Sequence, residues 1–244
     1  MIPFFSHKKK IANPKKQQIT SGLVLSIVLF FMFSMTACSD NVSENTLFGY
    51  DRGKKTFKLQ TNLKLQKYTD GTGYRYESIN SWGIGNRNTR KTHRISWLNS
   101  DYSMRRSEKK EQNNQDAVLS LITRDADVIR VTKDLQGKTI FDRSIEVKGP
   151  IYIDLLPEMY GAQLKEKGAS KTYPILNDRT MQISELEVRC LGPQTIKIGE
   201  TNREVTHYQI QAISSPDEYD NYFVDPKTMQ ILQISFGDIR FVIE

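Results

Sequence analysis

Over most of the chain, apolar and polar residues alternate with a period of two, the signature of a half-buried β-strand. Through 56–68, Phe57, Leu59, Leu63 and Leu65 share one parity. Asp70-Gly71-Thr72-Gly73 is a turn signal, after which Tyr74 and Tyr76 resume the strand. Further strand pairs flank Asn99-Ser100-Asp101, Leu135-Gln136-Gly137, the stretch 199–203 and Asp225-Pro226-Lys227-Thr228, where Pro226 suits the second position of a turn. The clearest hairpin is the last: Leu232, Ile234 and Phe236 alternate, Gly237-Asp238 turns, and Ile239, Phe241 and Ile243 alternate back. Roughly nine to eleven strands are legible, and hairpin spacing of this kind predicts an antiparallel sheet with one polar face.

The stretch 154–167 breaks the alternation. Leu155/Met159 and Leu156/Tyr160/Leu164 are spaced by four, Asp154 stands where an N-cap would, Pro157 falls in the first turn and Gly168 suits the end. This pattern predicts a short amphipathic helix, which can bury its apolar side only against the sheet. The expected fold is therefore mainly β: a curved antiparallel sheet or open β-barrel with one short helix packed on it. No linker divides 54–244, so a single β-rich domain is expected there.

The first residues read differently. Lys8, Lys9, Lys10, Lys15 and Lys16 precede a 15-residue apolar run, Leu23 to Ala37, and then Cys38. Such a run reaches about 22 Å as a helix, short of the ~30 Å of a bilayer core, and fits a secretory signal better than a span. Met35-Thr36-Ala37-Cys38 resembles the lipobox of bacterial lipoproteins. The resemblance implies that 1–37 is a signal peptide and that Cys38 carries acyl chains and begins the mature protein. Two or more acyl chains hold a protein stably on a bilayer, whereas one does so only marginally. Residues 38–53 are polar and unpatterned, as expected of a flexible tether. Ser39, rather than Asp, after the cysteine implies by the same resemblance an outer-membrane anchor facing the periplasm.

Removing that segment changes the charge picture. The whole chain carries 35 basic and 28 acidic side chains, but five of the cations and none of the acids precede Cys38, leaving about +2. The basic balance is thus largely a targeting signal and does not point to nucleic acid. Eight cations do gather within 87–110: Arg87, Arg90, Lys91, Arg94, Arg105, Arg106, Lys109 and Lys110. A solvated strand face is the favoured reading and a patch for an anionic partner the other.

Candidate chemistry is sparse. His207 falls on the polar parity of its strand, and His93 sits among cations that disfavour its protonation. Cys190 shares a strand face with Leu186 and Val188, which predicts a buried, inert thiol. Asp217, Glu218 and Asp220 are acidic enough to hold a hard cation but read as a solvated loop, and Glu185 and Glu187 read as an exposed strand face. No metal, cofactor or catalytic residue is expected. Tyr68, Tyr74, Tyr76, Trp82, Trp97, Tyr102, Tyr173, Tyr208 and Tyr222 lie mostly on strands, where they fill a core or line a cavity.

Residues 150–244, through Tyr152-Ile153-Asp154-Leu155-Leu156 and the Asp225-Pro226-Lys227-Thr228-Met229 turn, resemble uncharacterised bacterial envelope proteins with an open antiparallel barrel. The expectation is a lipid-anchored envelope lipoprotein, bound to the membrane through Cys38. It would act without catalysis as a binding module for an apolar ligand or an envelope partner. The alternatives are a structural subunit of an envelope complex and a hydrolase without a recognisable motif.

Overall fold

In the computed structural model, the described residues are 41–51, 53–84, 89–113, 116–237 and 239–244. The lipobox, Cys38 and Arg87 lie outside them. From Asp40 onward the chain forms one compact unit.

The strands are β1 (Asn41–Asp51), β2 (Lys54–Tyr68), β3 (Gly71–Trp82), β4 (Arg90–Asn99), β5 (Met104–Asn113), β6 (Asp116–Asp125), β7 (Val128–Leu135), β8 (Lys138–Glu146), β9 (Ser170–Asn177), β10 (Gln182–Ile198), β11 (Thr201–Ala212), β12 (Tyr219–Val224), β13 (Ile231–Phe236) and β14 (Ile239–Ile243). They form one 14-stranded sheet in the order β8-β7-β6-β5-β4-β3-β2-β1-β14-β13-β12-β11-β10-β9. Every strand pair is antiparallel. Two series of hairpins, β1–β8 and β9–β14, meet where β1 pairs with β14, Leu47 opposite Ile243. The fold is thus mainly β, an antiparallel sheet that is not closed.

The sheet rolls on itself. Tyr173 and Leu176 of β9 join one core cluster with Ile122, Ile129 and Val131 of β6 and β7. Asp178, just past β9, reaches Arg94 and Lys109 of β4 and β5. One edge of the sheet is therefore tucked inside the curve of the other half. The link between the two series, residues 147–169, crosses this interior. The amide of Met104 donates to the Ile151 carbonyl, and Tyr152 makes a parallel bridge to Ile175. Val147, Ile151, Ile153, Leu156, Met159, Tyr160 and Leu164 are all buried along it.

Two expectations are corrected here. Residues 41–51 are no tether but a central strand, bonded to β2 on one side and β14 on the other. Its inward positions are Ser43, Asn45, Leu47 and Gly49, so the inner face is mostly polar or small and carries no hydrophobic alternation. The helix is shorter than the expected 154–167: it spans only α1 (Pro157–Gly161), with Leu156 rather than Asp154 at its N-cap and no side-chain cap, and it packs in the core against the sheet as expected. It ends early because the chain must already rejoin the sheet: Gly168 donates to the Cys190 carbonyl and the Cys190 amide to Ala169. Asp154 is then free for another role.

Elsewhere local chemistry acts as anticipated. The Asp225 carboxylate accepts from the amides of Lys227 (2.8 Å) and Thr228 (2.9 Å), closing the turn before β13. Gly192, at φ +96°, sits at a bulge in β10, beyond which Ile196 and Ile198 of the hairpin tip cover Val205, Phe223 and Leu232.

Candidate functional site

The crossing segment fills much of the interior, and two small adjoining chambers lie beside it. The inner one, about 160 Å³, lies between β1–β3, the start of α1 and β12–β13. Its walls alternate by strand parity. Ser43 and Asn45 come from β1, Thr61 from β2, and Tyr76, Ser78 and Asn80 from β3. Asp154 and Glu158 project from the crossing segment, with Tyr222 opposite. Asn45 fixes the frame: its amide lies 3.3 Å from the Thr61 hydroxyl, and its carbonyl accepts from the Ile231 amide at 3.0 Å.

The outer chamber, about 170 Å³, shares Leu59, Asn80, Tyr222 and Ile234 with the inner one. Its other walls are largely aromatic: Phe57, Trp82, Phe236 and Phe241. Phe57 meets Trp82 edge-on at 4.7 Å, and Phe241 lies 5.7 Å from Phe57 and 5.5 Å from Phe236. Gly49 makes this packing possible, since a Cβ there would come within 2.8 Å of both Phe241 and Phe57. Trp82 is 38% exposed, which puts the aromatic chamber at the mouth.

The electrostatics of the inner chamber are one-sided. No Lys, Arg or His lines it, while two carboxyls do. Asp154 lines the chamber among close protein neighbours but remains exposed at its own surface. Burial raises its pKa above the ordinary range, with Arg94 opposing and Asp178 assisting. Burial likewise raises Glu158, against a hydrogen bond from Ser43, and its Oε1 has no hydrogen-bond partner. The phenol pKa values of Tyr76 and Tyr222 are pushed up by burial and by Asp154, with Asp220 also acting on Tyr222. Both phenols are therefore neutral donors at neutral pH.

Behind Asp154 lies a buried ion network. Asp178 pairs with Lys109 at 2.5 Å and Arg94 at 3.1 Å, and Lys109 also meets Glu111 at 3.0 Å. This corrects the expected solvated face of 87–110, because Arg94 and Lys109 point inward. Of the outer cations, Arg105 pairs with Asp70, Arg106 with Glu108 and Arg90 with Glu111, while Lys91 and Lys110 are exposed. The stretch is not a uniform basic patch.

The remaining candidates lie elsewhere. His93 sits 2.6 Å from Glu77, a carboxylate neighbour that its cation-rich sequence did not suggest. Burial opposes ionisation of Glu77, but His93 and Arg75 hold its pKa below the ordinary range. His207 is half-buried rather than solvent-facing, stacked on Phe223 at 4.6 Å and bonded to Asn221 at 2.8 Å. Cys190 is fully buried, as its strand face predicts. Glu185 is exposed, and Glu187 bonds Arg189 and Gln211. Asp217, Glu218 and Asp220 border an open hollow, and no group of three or more metal-capable side chains occurs among the described residues.

Sequence reasoning named Tyr76, Trp82 and Tyr222 but not Asn45, Ser78, Asn80 or Glu158 as lining groups. A signal was present for some of them: Ser78 and Asn80 share the parity of Tyr74 and Tyr76.

No family model matches the chain. No curated protein matches it either. Among solved structures it is similar to the crystal structure of a beta-barrel-like protein of domain of unknown function DUF1849 from Brucella abortus. The identity is 8% and the TM-score 0.48, over 83% of this chain and 94% of that one.

Proposed function

We propose that this chain is a lipid-anchored cell-envelope lipoprotein, acylated at Cys38, that works without catalysis as a binding module for a small molecule held in the paired chambers. The supporting observation is the polar chamber adjoining an aromatic one, a concave, pre-formed site with few, convergent polar groups. The size argues against an acyl chain as the ligand. A cavity of about 150 Å³ holds a benzene-sized molecule, and the crossing segment occupies the space a longer chain would need. The non-catalytic part of the proposal is supported by the placement of His93, His207 and Cys190 away from the chamber walls.

Native mass spectrometry of the full chain, extracted in mild detergent, tests this. The expected spectrum shows acyl mass that Cys38→Ser abolishes, together with a low-mass non-covalent adduct. An unacylated chain would sink the anchor, and an adduct of phospholipid size would sink the small-molecule site.

A further inference from the structure

Resting on that reading, we infer that the paired chambers are a site for a small organic cation, its ammonium held by Glu158 and Asp154 and its apolar body seated among Phe57, Trp82, Phe236 and Phe241. Each class of ligand can be weighed against the walls. An anion would meet two carboxyls and no cation in the inner chamber. The one cation lining the outer chamber, Lys58, has its ammonium 5.7 Å from the Phe48 ring centroid, on a residue outside the chamber. A wholly apolar ligand would leave Ser43, Asn45, Thr61, Ser78 and Asn80 facing hydrocarbon, which is costly for buried polar groups. A bare divalent ion lacks the cluster of hard donors it needs among the described residues.

An ammonium answers each of these features. It donates up to three hydrogen bonds, which the Glu158 carboxyl accepts once its covered, unpartnered Oε1 turns into the chamber that the residue lines. Asp154 is partly balanced by Arg94 behind it, whereas no cation is among the groups acting on Glu158, which makes Glu158 the principal anchor. The hydroxyl of Tyr222 is left to bond other polar atoms of the ligand, whereas that of Tyr76 already meets Ser78. The aromatic faces of the outer chamber suit either an apolar body or the flank of a substituted ammonium. The volumes, about 160 and 170 Å³, allow roughly one ring-sized group in each chamber.

The test uses 2-phenylethylammonium chloride as probe, titrated calorimetrically into the full chain in zwitterionic micelles. Neutral 2-phenylethanol and anionic 3-phenylpropionate serve as shape-matched comparators. The amine should bind saturably at one site, and about tenfold or more tighter than either comparator, as loss of a charge-assisted hydrogen bond implies. The isosteric Glu158→Gln should remove that preference while leaving alcohol binding unchanged. Trp82→Ala, at the exposed mouth, should weaken amine and alcohol together. Equal binding of amine and alcohol, or amine binding indifferent to Glu158→Gln, overturns the cation assignment and leaves the small-molecule module standing. No binding by any of the three overturns both.

Discussion

Asp178 shows how much one inward-facing residue can carry. Its carboxylate is buried against Arg94 and Lys109, and burial alone would raise its pKa. The two cations, with Lys133 beyond, outweigh burial and hold it below the ordinary carboxylate range. A lowered pKa contributes stability that is present above the unfolded-state value of about 3.9 and is lost as the pH falls through the folded value. Removing one partner of a buried pair leaves the others uncompensated, so Asp178→Asn should cost roughly 3–5 kcal/mol in urea unfolding at pH 7. The gap between wild type and variant should shrink as the pH drops below about 4. A pH-independent gap would mean that Asp178 acts through packing instead. Charge alone could not locate this residue in the sequence, since Lys109 sits in a run of cations that reads as solvated.

At the scale of elements, the segment from 147 to 164 is what gives the rolled sheet a core. Met159 is 1% exposed and Tyr160 0%, in one cluster with residues from β2, β3, β6, β7, β10 and β11. Met159→Ala should therefore cost about 2–5 kcal/mol, measured by chemical denaturation, as expected for a large-to-small change in a packed interior. A loss below 1 kcal/mol would show the segment to be loosely seated. The hairpins of β7–β8, β10–β11 and β12–β14 were legible because their inner faces are apolar and their turns carry Gly, Pro or Asp. Strand β1 was not, because its inner face holds Ser43 and Asn45, which line a polar chamber. For the same reason β5, with Ser107 and Lys109 inward, shows no hydrophobic period. Binary patterning assumes an apolar interior, and it fails where this molecule keeps polar groups inside. The helix was legible in kind but not in length: periodicity of four across 155–164 marked a buried segment, of which only Pro157–Gly161 is helical.

For the whole molecule, fold class followed from alternation, while the site depended on long-range register that no local pattern encodes. Glu158 and Tyr222 are distant in sequence yet line one chamber. Their environment has a pH consequence. Raised pKa values at Asp154 and Glu158 mean that the empty chamber favours neutral carboxyls and that a bound cation favours ionised ones. Affinity for 2-phenylethylammonium should therefore rise as the pH increases from 4 through the elevated range of these carboxyls and then level off, with proton release on binding below the plateau. Calorimetry in buffers of different ionisation enthalpy reads that release directly, and its absence throughout the range would place the ligand away from these carboxyls.

The small-molecule chamber itself is tested most directly at Trp82. The chain has two tryptophans, so Trp97→Phe leaves Trp82 as its only indole, at the mouth of the aromatic chamber. Titrating that variant with the low-molecular-weight fraction of an envelope extract should shift its emission saturably, and Gly49→Leu, which crowds Phe57 and Phe241, should abolish the shift. Emission that responds only to the phospholipid fraction, or to neither fraction, would contradict a small-molecule site in this fold.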